Sequence, residues 1–115
     1  MTIVNITVDN DADFQRSFWY QTKDGTPINI TGWSMWMMLR RHAADQEAQL
    51  RLGTDTGEIA LTDPVNGLFT VLIVQPTLER LQLGDFDQSM VALDTGGRTR
   101  SIWSGSFTNN PGPSR

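Results

Sequence analysis

Leu68-Phe69-Thr70-Val71-Leu72-Ile73-Val74 is the stretch that decides the fold class. Its β-branched and aromatic residues favour a pleated, packed surface. The run is continuous rather than alternating, which predicts a strand in the middle of a sheet, buried on both faces. It is far shorter than the ~20 residues of a membrane-spanning helix. Asp63-Pro64-Val65-Asn66-Gly67 precedes it as a turn. The segment Pro76-Thr77-Leu78-Glu79-Arg80-Leu81-Gln82-Leu83-Gly84 follows it and carries the one helical signal of the chain. Thr77 is the expected cap, Leu78 and Leu81 share a face, and Gly84 is the expected left-handed stop.

Working outward, Ile59 with Leu61 and Leu50 with Leu52 predict two short strands, separated by Gly53-Thr54-Asp55-Thr56-Gly57. Residues 42–47 read as a polar loop or a single helical turn. Trp33 to Arg41 predicts a longer strand with apolar residues on both faces. Ile28 and Ile30 follow the turn Lys23-Asp24-Gly25-Thr26-Pro27. Phe14, Phe18 and Tyr20 lie on one face of a further strand, and Val4, Ile6 and Val8 on the first. On the C-terminal side, Phe86–Asp94 and Thr99–Thr108 form a hairpin around Thr95-Gly96-Gly97. The expectation is an all-β fold: an antiparallel β-sandwich of about eight short strands, with one short helix before the last hairpin. Residues 1–108 form this domain, and 109–115 are expected to be a flexible C-terminal tail.

The chain has 115 residues, 38% of them hydrophobic and 19% charged, with a formal net charge of −4. That is enough chain for one core, burying roughly 65% of its unfolded surface. An acidic surface repels phosphate backbones, so no nucleic-acid partner is expected. Nor is a membrane partner or a signal peptide expected, since the first residues carry no basic region. The absence of cysteine removes disulfides, thiol nucleophiles and thiolate zinc sites.

The candidate chemistry is thin. Asp-Thr-Gly occurs at Asp55-Thr56-Gly57 and at Asp94-Thr95-Gly96, the triplet of aspartic proteases, whose two carboxylates must share a proton. The apolar-apolar-Gly segment that such a protease also needs has no good match, and turn chemistry is the expected role of both copies. Asp9, Asp11 and Asp13 alternate like the start of a calcium loop, but Phe14 and Tyr20 stand where that loop needs Gly and Glu. His42 is the single histidine and cannot by itself build a two-histidine metal site. Asn5-Ile6-Thr7 and Asn29-Ile30-Thr31 match the glycosylation triplet, by chance on this reading. No catalytic, metal or cofactor-binding residue is expected.

The aromatic residues carry more. The pleat puts Trp33, Met35, Met37 and Leu39 on one face and Ser34, Trp36, Met38 and Arg40 on the other. If the first set is core, Trp36 and Met38 point away from it. In the same way Trp19 points outward when Phe14, Phe18 and Tyr20 point in. Surfaces of this composition are used for contacts, and Trp19, Trp36 and Met38 are the candidate subunit interface.

The order of signals resembles a known family. Asp13-Phe14 opens an aromatic strand ending at Tyr20; Asp24-Gly25-Thr26-Pro27-Ile28 and Ile30-Thr31-Gly32-Trp33 follow, then a strand ending in Arg40. Gly67 opens a strand running into Pro76-Thr77, Gly84-Asp85-Phe86-Asp87 leads into the hairpin, and Gly105-Ser106-Phe107 closes it. Over residues 13–108 this pattern resembles small tailed-bacteriophage virion proteins, including the N-terminal domain of baseplate upper proteins. Ile30 stands where the family has Leu, and Phe86 where it has Tyr. The resemblance implies a non-enzymatic structural protein of the virion, made in the host cytoplasm. It would sit in the tail or baseplate as a homo-oligomer packed against copies of itself and other virion proteins, without a cofactor. The alternatives are a head-decoration, collar or head–tail connection protein, and a carbohydrate-binding module for host-surface glycans.

Overall fold

The computed structural model describes residues 2–114; Met1 and the last residue of the expected tail, Arg115, lie outside the described residues. Eight strands are present among them: β1 Ile6–Asp9, β2 Phe14–Trp19, β3 Ser34–Arg40, β4 Leu50–Gly53, β5 Ile59–Asp63, β6 Leu68–Ile73, β7 Gly84–Leu93 and β8 Thr99–Asn110. A single α-helix, α1 Gln75–Arg80, precedes the final hairpin, and a 3-10 turn spans Pro64–Asn66. The strands form a five-stranded sheet in the order β1-β8-β7-β3-β4 and a three-stranded sheet in the order β2-β6-β5. The fold class is therefore the all-β, two-sheet arrangement expected, with one short helix.

The core lies between the sheets. Met35, Met37 and Leu39 of β3 face Phe69, Val71 and Ile73 of β6, all of them at most 1% exposed. An aromatic cluster ties the layers together. Phe69 stacks on Phe18 and on Trp103 at 5.7 Å each, and Phe18 lies 4.7 Å from Trp103 across the sandwich. The Trp103 indole N–H is buried and donates to Gln88 Oε1 at 2.8 Å, so the ring enters the core without an unsatisfied polar group.

Several details differ from the sequence expectations, each through a distant partner. The sandwich is not wholly antiparallel: β1 runs parallel to β8, with Ile6 opposite Phe107. Ile30, after the turn over residues 23–27, is fully buried outside any strand, its N–H held by Pro64 O at 2.8 Å. β6 is the middle strand, but Leu68 and Leu72 on its outer side are only half-buried. Hydroxyls partly cover that side, with Thr70 Oγ1 2.9 Å from Ser17 Oγ and 3.3 Å from Thr62 Oγ1.

The helix is capped differently as well. Val74 occupies the N-cap and gives no side-chain cap bond. The carboxylate of Asp13 instead accepts the Gln75 N–H at 2.6 Å, leaving Thr77 inside the helix. The helix leaves through Leu81 in an extended conformation, and Gly84, with φ +105°, opens β7 rather than closing α1. At the other end, β8 continues two residues past the boundary expected at Thr108. Asn109 is buried, and so is Gly112, whose N–H donates to Asn10 Oδ1 at 2.7 Å.

Candidate interface

The register of β3, β7 and β8 fixes which side chains share the outer face of the five-stranded sheet. Trp36 lies opposite Val91, Met38 opposite Ser89 and Arg40 opposite Asp87; Ser89 in turn lies opposite Ser104. Paired residues stand on the same face of the pleat, so this set forms one surface, directed away from Met35, Met37 and Leu39. Trp36 and Met38 are half-buried, on the side of the five-stranded sheet that no strand of the second sheet covers among the described residues.

The surface is concave. Trp36, Met38, Arg40, Asp87, Val91 and Ser104 are among the residues lining an open depression of about 350 Å³. Its polar rim is pre-arranged by local bonds. Arg40 donates to Gln46 O at 2.8 Å and reaches Met38 Sδ at 3.5 Å. Asp87 Oδ2 accepts the Ala43 N–H at 2.8 Å, which draws the loop after β3 over one end of the depression. Trp36, Met38 and Val91 stand here beside Arg40, Asp87, Ser89 and Ser104, a mixture of large apolar and polar side chains that suits a protein contact.

Trp19 is placed elsewhere. It sits on β2 opposite Leu68, on the outer face of the three-stranded sheet, and is 60% exposed. The three candidate residues therefore do not form one patch: Trp36 and Met38 lie on one side of the sandwich and Trp19 on the other. Arg40 was expected on this face from the pleat of β3, but Val91 and Asp87 of β7 were not singled out from sequence. The pleat gives the facing of each strand, but the pairing that puts β7 beside β3 is non-local.

The Asp-Thr-Gly triplets are turns. Asp55 Oδ1 meets Arg51 at 3.1 Å in the β4–β5 connection. Asp94 Oδ1 accepts the Gly96 and Arg98 N–H groups at 2.9 and 3.0 Å, and its Oδ2 accepts Arg100 Nε at 2.9 Å. Each carboxylate is engaged within its own turn rather than with the other. The Arg100 guanidinium and the Arg98 N–H hold the Asp94 carboxyl below its ordinary value of 3.8, and the Arg51 guanidinium does the same for Asp55. Arg100 also lies over the Trp33 ring, whose edge contact with Tyr20 closes this end of the sandwich.

A pH dependence follows. A carboxyl lowered in the folded state stabilises the fold in full above its unfolded value and loses that contribution as pH falls through the folded one. Asp94→Asn is expected to lower the urea midpoint at neutral pH, with the deficit shrinking below pH 3.8. Equal deficits at both pH values would show that the ion pair contributes nothing and that only the turn geometry matters.

The remaining polar motifs are also used within the fold. Asn29 Oδ1 accepts from both the N–H and the hydroxyl of Thr31, and Asn5 Oδ1 accepts the Ser106 N–H at 3.1 Å. Asp11 accepts the Ser114 N–H at 3.3 Å and Asp13 serves the helix. His42 is exposed in the loop after β3.

These features define a class: a small two-sheet β-sandwich with one helix before its last hairpin and a large-sheet outer face that carries Trp36, Met38 and Val91 among polar residues. Among solved structures it is similar to the N-terminal domain of phage TP901-1 ORF48, with a TM-score of 0.53 over 95% of this chain and 85% of that chain. The two are 17% identical, so the likeness is one of fold. No protein-family model matches the chain, and no curated protein matches it.

Proposed function

We propose that this chain is a non-enzymatic structural component of a phage particle, in the tail or baseplate, assembling with copies of itself and with other virion proteins. The observation that carries this reading is the likeness of fold to a phage protein domain across nearly the whole chain. The outer face of the five-stranded sheet supports it. A half-buried Trp and Met there would gain roughly 1 kcal/mol each on burial of what remains exposed, a driving force for assembly that a free surface leaves unused. Tryptophan in a desolvated pocket often contributes about 2 kcal/mol or more to a contact.

Quantitative mass spectrometry of purified particles tests the reading directly. The chain is expected in multiple copies per particle and in the tail fraction after heads and tails are separated. Recovery with heads alone would favour the decoration or connector role, and absence from particles would overturn the reading. Substitution separates the interface from the core. Trp36→Ser is expected to leave the monomer folded while weakening self-association or incorporation. Met37→Ser, one residue along and fully buried, is expected to cost about 2–5 kcal/mol of stability. A Trp36→Ser variant that assembles normally would remove the outer face from the interface.

A further inference from the structure

The six residues of α1 are too few for a helix to persist alone, because nucleation costs more than so short a run returns. Its own caps are weak: no side chain caps the N-terminus locally, and the last residues turn straight into extended chain. Leu78 is nevertheless fully buried. What holds the helix comes from the two ends of the chain.

At the C-terminal end of α1, Asn109 inserts its amide under the helix. Its Nδ2 donates to Leu78 O at 3.0 Å and lies 3.3 Å from the carbonyls of Leu81 and Gln82. Leu78 O is one of the carbonyls that a helix end leaves without partners, and Leu81 and Gln82 lie at and just past the C-cap. At the N-terminal end, the Asn10–Asp13 loop does the complementary work. Asp13 accepts the Gln75 N–H, and the Asn10 carbonyl accepts Gln75 Nε2 at 3.0 Å.

That loop is itself fixed by the segment after β8. The Asn10 N–H donates to Asn110 O at 3.0 Å, Asn10 Oδ1 accepts the Gly112 N–H, and Asp11 Oδ2 accepts the Ser114 N–H. The seat is close: a Cβ on Gly112 would lie 2.2 Å from Asp11 Cγ. These contacts pass from the tail to the loop and from the loop to the N-terminal end of α1, whereas Asn109 meets the C-terminal end directly from β8.

We propose that residues 110–114 act as a latch whose seating on the Asn10–Asp13 loop orders α1, so that release of the tail releases the helix while the sheets stay formed. This goes beyond the assembly reading and does not depend on it. The latch couples the segment after β8 to the segment joining the two sheets, since α1 links β6 of one to β7 of the other. The residues expected from sequence to be a loose tail thus become a conformational control on an internal helix.

Amide hydrogen exchange on the full chain tests this. Asn10→Ala removes the Gly112 bond and leaves the backbone carbonyl that holds Gln75. The expected result is at least about tenfold faster exchange at the Gly112 amide and, with it, at the Leu78 and Leu81 amides of the helix. Amides of Met37 and Met90, in the middle of the five-stranded sheet, should be unchanged. Gly112→Val should act in the same direction and more strongly; if it does not fold, Asn10→Ala alone decides. A freed Gly112 amide with unchanged protection at Leu78 and Leu81 would overturn the latch, as would faster exchange spread equally over both sheets.

Discussion

Phe69→Ala is expected to lower the free energy of unfolding by about 3–5 kcal/mol, among the largest losses of any single truncation in the chain. The ring is fully buried on the middle strand of the smaller sheet. It stacks on Phe18 from its own sheet and on Trp103 from the opposite one. Removing it opens a cavity whose walls are two large, rigid rings anchored on separate sheets. Trp103 is further restrained by its hydrogen bond to Gln88, which also donates to Val4 O at 2.7 Å. Such walls cannot collapse inward without breaking a buried bond, so the cavity term persists in full. Equilibrium urea unfolding measures the loss. Phe14→Ala serves as the comparison, because Phe14 shares the inward face of β2 but is only half-buried at the strand end. A Phe69→Ala loss no greater than that of Phe14→Ala would mean that the aromatic cluster does not hold the two sheets together.

The second large effect is expected at Gly67, where backbone geometry and space act together. Gly67 has φ +74° and closes the 3-10 turn, its N–H donating to Pro64 O at 3.1 Å. Its carbonyl accepts the Tyr20 N–H at 2.8 Å, and the Tyr20 carbonyl in turn accepts the Ile28 N–H at 3.0 Å. A Cβ here would lie 2.5 Å from Tyr20 O and 2.8 Å from Ile28 O, and both obstacles are backbone. Gly67→Ala therefore carries about 1–3 kcal/mol of left-handed strain and a further cost of about 1–3 kcal/mol for pushing the Tyr20 and Ile28 backbone away. Gly57 separates the two terms: its φ is +91°, but a Cβ there would meet nothing within 4 Å. Gly57→Ala is expected to show the strain alone. Thermal and urea unfolding of the two variants should differ by the packing cost. Equal losses would mean that the turn shifts to admit the methyl group and that the close approach of Tyr20 and Ile28 is not a constraint.

The strands were legible in the sequence because alternation and β-branching are local properties. Met35, Met37 and Leu39 had to share a face, and Trp36 and Met38 had to take the other, whatever the sheet around them. The continuous β-prone run over residues 68–74 located the central strand, observed over Leu68–Ile73, and Thr95-Gly96-Gly97 was legible as a hairpin turn. The turn role of Asp94 was legible too, since its acceptors serve N–H groups two and four residues on.

What the sequence alone could not determine was which elements would meet. The parallel pairing of β1 with β8, the depression formed where Val91 and Asp87 join Trp36 and Arg40, and the isolation of Trp19 on the opposite face all depend on strand order. Strand order is set by contacts between residues far apart in the chain, and a period-two pattern is equally satisfied by many such orders. The helix shows the same limit in miniature. Thr77 was the natural local cap, but the N–H that needed a partner found Asp13, 62 residues away. Asn109 reads as part of a loose tail until the fold brings the carbonyls of Leu78, Leu81 and Gln82 within its reach. Backbone conformation and the facing of side chains were decided by neighbours in sequence. Partners, caps and surfaces were decided by the tertiary structure, because a hydrogen-bonding group is satisfied by whatever the fold places beside it.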